Sequence, residues 1–346
     1  MLRIPAGAAA LASALVLAAT ASAQEYKFKL HHFLSELTPS HTEIIAPWVE
    51  RVEANSGGRV DIEIYPSMSL GGKPPELVSQ ARDGVVDLVW TLNGYTPGLF
   101  PRTEVFELPT VYRNDPSAAN LAMRAMFDAD LAEDYAGLKV MFLQVHTGNG
   151  LHMVDREVHA PADLAGLNLR TPSRTGAWVI EALGANPVAM PVPDLPQALS
   201  RKVVDGALLP WDIVPPLKLQ EQTGFQVDGD EQVRLGTSTF QLSMNLERWN
   251  GLPPDIQQAF LDASDAAWAE ELGHIWRRAD DAGIAISEEA GVDYYRLTPE
   301  ETAAFEAAVA PVVDRWVADM ESQGIDGAGL VERARAAIAE NAAGGS

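Results

Sequence analysis

The sequence of 346 residues contains no cysteine. Disulfides, thiolate nucleophiles and cysteine-ligated metal sites are therefore excluded. A chain of this length does not need such cross-links, because it can bury a large apolar core. It is also longer than a single core usually organises, so we expect two lobes.

Basic residues are scarce. The chain has 25 Lys and Arg against 48 Asp and Glu, which gives a formal net charge of −23. Such a surface repels nucleic acid and anionic lipid, so neither is expected as a partner. An anionic ligand would have to be held by a local positive site, because the overall field opposes it.

Long apolar runs are missing except at the amino terminus. Residues 1–23 combine Arg3, an apolar run over 8–19 and small residues at Ala21 and Ala23. This pattern predicts a secretory signal peptide that is cleaved after Ala23. The run is short for a membrane-spanning helix, and no other segment is apolar enough, so we expect no stable membrane insertion.

Common catalytic motifs are also missing. The sequence has no GxSxG elbow, no HExxH pair and no P-loop, so an enzyme is not the leading hypothesis. A Ser-His-Asp set can assemble from distant positions, which leaves a secreted hydrolase open as an alternative. We expect no metal and no cofactor.

The most informative stretch is 164–212, and Arg170 lies near its start. The alternation of Leu167 and Leu169 predicts a short strand, which ends before Pro172 because proline disfavours helical geometry in the preceding residue. Arg170 is then at the carboxyl end of a strand, where ligands bind in open α/β sheets. Its planar guanidinium matches a carboxylate. The alternative is an ordinary exposed arginine.

The same stretch continues as alternating helices and strands. A helix is predicted over 173–184, a strand over 188–192, a helix beginning at Asp194 and a buried strand over 203–209. This order predicts an α/β fold with a parallel sheet. The run Val-Val-Asp follows a helix both here and at 85–87, which favours two similar lobes facing each other.

Two segments of this stretch carry a specific resemblance. GLNLRTP, followed by GANPVAMPVPDLPQALSRKVVDGALLPW, resembles the periplasmic solute receptors of tripartite ATP-independent (TRAP) transporters. The resemblance implies a two-lobed periplasmic binding protein fold with a ligand cleft between the lobes and a long helix that braces both. It also implies that Arg170 receives the carboxylate of a small solute. The expected partners are then that solute and the small and large integral membrane subunits of the transporter.

The resemblance also implies a division of the chain. We expect lobe I to comprise 24–147 and 233–252, and lobe II to comprise 148–232. A long helix over 253–291 would span both lobes, and helices in 292–346 would pack on their outside.

Candidate cleft residues besides Arg170 lie where strands end or the chain crosses between lobes. They are His31, His32, Phe33, Trp90, Asn93, Tyr95, Asn149, Trp211, Asp212 and Phe240.

Two kinds of solute remain open. In the first, a small organic acid is anchored on Arg170 and Leu209 faces its tail. In the second, a zwitterionic osmolyte places its cation against aromatic faces near Asp212. The sequence lacks two features common in these receptors, since no arginine occurs between Gly137 and Val154, and Leu209 stands where many members have asparagine.

Overall fold

The computed structural model describes residues 24–344, so the predicted signal peptide lies outside the described part. The fold is of the α/β class. The strands are β1 (Tyr26–His32), β2 (Val60–Tyr65), β3 (Leu88–Leu92), β4 (Leu138–Val145), β5 (Gly150–Met153), β6 (Asn168–Thr171), β7 (Asn186–Ala189), β8 (Gly206–Leu209), β9 (Phe225–Asp228), β10 (Thr239–Asn245) and β11 (Asp293–Arg296).

The α-helices surround these strands. They are α1 (Ala46–Asn55), α2 (Leu77–Arg82), α3 (Pro116–Met126), α4 (Arg174–Ala182), α5 (Leu195–Ser200), α6 (Leu246–Asn250), α7 (Pro254–Ala263), α8 (Ala266–Glu289), α9 (Pro299–Val309), α10 (Pro311–Ser322) and α11 (Gly327–Gly344). None of the helices within 24–344 combines the length and apolarity that crossing a membrane requires.

The strands form two sheets, one in each lobe. The first has the order β2-β1-β3-β10-β4 and the second the order β11-β9-β5-β8-β6-β7. In the second sheet β8, β6 and β7 are parallel, as the alternating helices and strands of 164–212 predict. β10 and β5 run antiparallel to their neighbours, so each sheet is mixed.

The chain crosses between the lobes more than once, and two of these crossovers are neighbours. One crossover joins β4 to β5 through residues 146–149, and the other joins β9 to β10. The two crossovers are hydrogen bonded to each other, because Asn149 N donates to Gly236 O over 2.8 Å and Leu235 N donates to Asn149 O over 3.0 Å. We refer to these two crossovers together as the hinge.

The expectation of a single helix over 253–291 is wrong in one respect, because this segment forms two helices. α7 ends at Ala263 and α8 begins at Ala266. The Asp265 side chain accepts a hydrogen bond from Trp268 N over 2.8 Å, which caps α8 and starts a new helix. Of these two helices, α8 is the one that spans both lobes, since it contacts α3 and β4 of the first lobe and β11 of the second.

The expected helical tail also needs a correction. Residues 293–296 form β11, which pairs in parallel with β9 and becomes an edge of the second sheet. The three helices that follow are as expected, and α9 begins with a capping box between Thr298 and Glu301. The tail therefore completes the second lobe through β11, while α9 and α10 pack on α4 of that lobe and α11 packs on α3 of the first lobe.

Candidate ligand-binding cleft

A cavity lies between the two sheets, next to the hinge. Its walls come from the carboxyl ends of β1, β3, β6 and β8, from the crossovers and from α8. The lining residues are Phe33, Leu34, Leu92, Tyr95, His146, Asn149, Arg170, Pro172, Val192, Leu209, Pro210, Asp212, Ile213, Ser238, Phe240 and Trp276.

Arg170 lies in β6 on the wall of this cavity and is 3% exposed. Its Nε donates to Met190 O over 3.0 Å, and its Nη1 makes a long contact of 3.5 Å with Leu208 O. Its Nη2 has no protein partner among the described residues. Burial lowers the pKa of the guanidinium, although an arginine keeps its proton in proteins. The Tyr95 hydroxyl lies near the guanidinium and partly offsets this lowering of the pKa. The result is a buried positive charge that can bind an anion.

Four aromatic rings stack in a row beside the cavity. Phe33 stacks on Trp90 with ring centres 5.3 Å apart, Trp90 on Phe240 at 4.9 Å, and Phe240 on Trp276 at 5.7 Å. Phe33, Phe240 and Trp276 line the cavity, whereas Trp90 lies behind them. The row starts in the first sheet and ends on α8. It offers apolar and π surfaces to a ligand held at Arg170.

The lobes touch each other at the side of the cavity near Tyr95. The Tyr95 hydroxyl accepts a hydrogen bond from Val192 N in the other lobe over 2.9 Å. Beside it, a Cβ added to Gly94 would lie 2.5 Å from Ser173 Cβ, a distance that only glycine permits. The cleft is therefore closed on this side.

The hinge side of the cavity carries polar groups. His146 Nδ1 accepts a hydrogen bond from Gly148 N over 2.9 Å, so the ring proton is on Nε2. Burial lowers the pKa of His146 to about 3, and the charges of Arg234 and Arg170 contribute. Burial raises the pKa of Asp212 well above its usual range, and the negative charge of Asp280 adds to this. Both shifts favour uncharged forms, so Arg170 carries the formal charge of this wall.

Neither histidine at the end of β1 lies on the cavity wall, which corrects the expectation for His31 and His32. His31 Nδ1 bonds to Gln80 Oε1 over 2.7 Å, and its Nε2 accepts from Leu70 N. His32 Nε2 bonds to His41 Nδ1 over 3.0 Å. Both rings are hydrogen bonded within the first lobe, because α2 and the segments after β1 and β2 cover both faces of the strand end.

Trp90, Asn93 and Trp211 are also behind the wall rather than on it. Asn93 donates to Tyr135 Oη and accepts from Gln241 Nε2, so both ends of its amide are hydrogen bonded within the first lobe. The indole of Trp211 donates to Gln226 Oε1 over 2.6 Å, and Arg234 lies 4.5 Å from the centre of its ring. The other candidates line the cavity: Phe33, Tyr95, Asn149, Arg170, Asp212 and Phe240.

Sequence reasoning did not assign His146, Ser238 or Trp276 to the wall. His146 and Ser238 lie beside each other only because the two crossovers are hydrogen bonded, and no spacing in the sequence signals this. Trp276 is a buried position of α8, and a buried tryptophan on a helix is usually ordinary core. Within residues 24–344 no cluster of three His, Asp or Glu side chains is placed to hold a metal ion.

A second arginine, Arg234, lies near the hinge and is paired there with two carboxylates, although its Nη1 has no partner among the described residues. Its Nη2 is 2.8 Å from Asp280 Oδ2 and 3.2 Å from Asp228 Oδ2, and all three side chains are buried. This ion cluster links β9, the second crossover and α8. It fixes the hinge and leaves Arg170 as the arginine that lines the cavity.

Comparison with known proteins agrees with this geometry. A family model described as bacterial extracellular solute-binding protein, family 7, matches residues 30–319. A TRAP solute-binding protein from Rhodoferax ferrireducens, solved with copurified benzoate, is 36% identical with a TM-score of 0.90, covering 92% of this chain and 99% of that chain. A marine metagenome TRAP solute-binding protein described as specific for aromatic acid ligands, solved with 3-hydroxybenzoate, is 35% identical with a TM-score of 0.89 and the same coverage.

The curated C4-dicarboxylate-binding periplasmic protein of Rhodobacter capsulatus is 26% identical over 337 residues, which is 96% of each chain. The family match covers most of the chain, and the two solved structures share its architecture almost throughout. The chain therefore belongs to family 7 of the bacterial extracellular solute-binding proteins, and it is a solute receptor of the TRAP transporter class.

Proposed function

We propose that this receptor binds a monocyclic aromatic monocarboxylate and delivers it to the membrane subunits of a TRAP transporter for uptake. The observation that carries the proposal is Nη2 of Arg170, which is buried without a partner among the described residues on a cavity wall beside stacked aromatic rings. A guanidinium in such a site holds a carboxylate strongly, because little water competes for it.

The charge of the wall supports a ligand with one carboxylate. Arg170 carries the formal charge, and Asp212 and His146 favour their uncharged forms. A second carboxylate would be buried without a cation to pair with it, which is costly. A dicarboxylate is therefore a poorer fit than a monocarboxylate.

The aromatic wall supports a ring next to that carboxylate. Phe33, Phe240 and Trp276 present ring surfaces to the cavity, and Leu209 adds an aliphatic one. Aromatic pairs contribute about 0.5–1.5 kcal/mol beyond the area they bury. The relatives that are 35–36% identical were solved with benzoate and 3-hydroxybenzoate, which agrees with this reading.

In the proposed mechanism, the solute enters an open cleft and its carboxylate meets Arg170. Contacts from both lobes then favour the closed form in which Tyr95 and Val192 are hydrogen bonded. The closed receptor would present the solute to the small and large membrane subunits. We place this event in the periplasm, after cleavage of the signal peptide behind Ala23.

The zwitterion alternative has less support. It needs an aromatic cage near an ionised Asp212, but Trp211 is not on the cavity wall and burial favours the uncharged Asp212 carboxyl. The hydrolase alternative has no support either, since the family and the structural neighbours are binding proteins of transporters rather than enzymes.

Isothermal titration calorimetry tests the proposal. The protein beginning at Gln24 is unfolded, dialysed to remove bound ligand, refolded and titrated with benzoate, cyclohexanecarboxylate, succinate and glycine betaine. We expect benzoate to bind most tightly. Cyclohexanecarboxylate cannot form aromatic pairs with the cavity wall, and it should bind about 2- to 12-fold more weakly for each aromatic pair that benzoate forms there. Tighter binding of succinate or betaine than of benzoate would overturn the proposal.

A further inference from the structure

Three buried polar atoms near the hinge have no partner among the described residues. They are Asn149 Oδ1, Asp212 Oδ1 and Ser238 Oγ, and their residues are 3%, 5% and 0% exposed. All three residues line the cavity that also contains Arg170. Buried polar atoms are nearly always hydrogen bonded, because an unpaired one is costly. Three such atoms on one cavity wall point to a bound group that pairs with them.

The local structure brings these three residues together. Asn149 ends the first crossover and Ser238 ends the second, and backbone hydrogen bonds between Asn149 and residues 235 and 236 join the two segments. Asp212 follows β8, whose Leu209 pairs with Gly150 of β5. The hydrogen bonds between the two crossovers therefore hold these polar residues together on the cavity wall.

This polar group and Arg170 line the same cavity. In the second sheet the strand order is β5-β8-β6, so the backbones of Asn149 at the start of β5 and of Arg170 in β6 are two strand spacings, or about 10 Å, apart. The Arg170 guanidinium reaches back to Leu208 O of β8, so the carboxylate site and the polar group are separate recognition points that one small solute can contact together.

The chemistry of the three atoms selects the group of the solute that binds them. Asn149 Oδ1 can only accept a hydrogen bond, so its partner must be a donor, which excludes a second carboxylate. A cation is disfavoured because the positive charges of Arg170 and Arg234 both act on this wall, as their effect on the neighbouring His146 shows. A hydroxyl both donates and accepts, and it can satisfy Asn149 together with Ser238 or Asp212.

We propose that Asn149, Asp212 and Ser238 form a hydroxyl subsite, and that the natural solute is an aromatic acid that carries a hydroxyl group. This inference rests on the proposed function and deepens it, since it adds a second recognition point to the carboxylate site at Arg170. The subsite makes the receptor selective for hydroxylated acids over unsubstituted ones. An analogue without the hydroxyl leaves the three buried atoms unpaired, which is the basis of strong rejection.

The test measures a selectivity ratio by calorimetry. The refolded protein is titrated with benzoate and with 2-, 3- and 4-hydroxybenzoate. We expect one of these isomers to bind roughly 5- to 100-fold more tightly than benzoate. Equal affinity for benzoate and all three isomers would overturn the subsite.

Substitutions then assign the selectivity to these residues. In Ser238→Ala and in Asn149→Ala, the ratio of the benzoate dissociation constant to that of the preferred isomer should fall towards one. Thr147→Val is the matched control, because Thr147 Oγ1 is also buried without a partner but Thr147 does not line the cavity. An unchanged ratio in both alanine variants, or the same fall in the control, would overturn the assignment.

The experiment separates this inference from the proposed function. If benzoate binds and its hydroxylated forms bind no better, the subsite fails and the aromatic acid receptor stands. If neither benzoate nor any hydroxybenzoate binds, both fail together. A melting temperature measured for each variant shows whether it is folded, and the two alanine variants provide independent tests.

Discussion

Replacing Arg170 with glutamine is expected to remove ligand binding while leaving the empty protein as stable as before. Within the protein the guanidinium has one good acceptor, Met190 O at 3.0 Å, and a long contact with Leu208 O at 3.5 Å. One nitrogen is unpaired, and a buried charge that is poorly paired contributes little net stability. We expect the free energy of unfolding to change by no more than about 1 kcal/mol.

The effect on binding should be much larger. Removing one partner of a buried charge pair costs about 2–5 kcal/mol, which corresponds to roughly 30- to 4,000-fold in the dissociation constant. Calorimetric titration with benzoate measures this loss, and urea unfolding of the ligand-free protein measures stability. Binding of benzoate by Arg170→Gln within about 3-fold of the unsubstituted protein would refute the carboxylate site.

Two other arginines serve as controls for this experiment. Arg174 begins α4 and pairs with Glu104 at 2.6 Å and Asp319 at 2.8 Å. Arg174→Gln should therefore lower the free energy of unfolding, by about 1–3 kcal/mol, because it leaves the buried Glu104 without its partner. Arg201 is exposed in the same lobe, so Arg201→Gln should change neither stability nor binding.

Three further outcomes are expected. Phe240→Leu removes a ring that stacks on two tryptophans, so benzoate should bind about 2- to 12-fold more weakly by calorimetry, and an unchanged affinity would contradict the aromatic wall. In NMR titrations His146, with a pKa of about 3, should stay neutral from pH 8 to about pH 5, whereas Glu157 raises the pKa of His159 above 6.5. Because the pKa of His146 is lower in the folded state than in the unfolded one, its contribution to stability is lost as pH falls from about 6.5 towards 3, and a His146 titration near 6.5 would contradict its burial. Asp280→Ala takes one of two carboxylates from the buried Arg234, which keeps Asp228, and should cost about 1.5–3 kcal/mol in urea unfolding, so a loss below about 0.5 kcal/mol would contradict the hinge cluster.

The part of the cleft that sequence could predict depends on local patterns. Arg170 was found because alternation and a following proline define the end of a strand. Phe33 and Phe240 were found in the same way, from strand ends and strand alternation. These signals need only a few neighbouring residues, so a single sequence contains them.

The part that could not be predicted depends on which way side chains face after the lobes assemble. A shift of one residue moves a side chain to the other face of a strand, so the pair His31 and His32 could not be oriented from sequence. Trp211 follows β8 at a plausible place, but α8 packs against it so closely that a Cβ on Gly283 would lie 2.1 Å from Trp211 O. Trp276 reaches the cavity only because α8 crosses both lobes.

Two errors in the fold have local causes that a closer reading could have found. Asp265 is an N-cap within a long helical pattern, and such a residue marks a new helix start. β11 is only four residues long, and its two tyrosines are its main signal for a strand. Both features involve few residues, so the helical pattern of the surrounding sequence dominates a prediction made from hydrophobic periodicity.

A crystal structure of the refolded protein with benzoate tests the central claim most directly. The account predicts one carboxylate oxygen about 2.7–2.9 Å from Arg170 Nη2, with the ring of benzoate against Phe240. A carboxylate bound elsewhere in the cleft, with Arg170 Nη2 still unpaired, would contradict it.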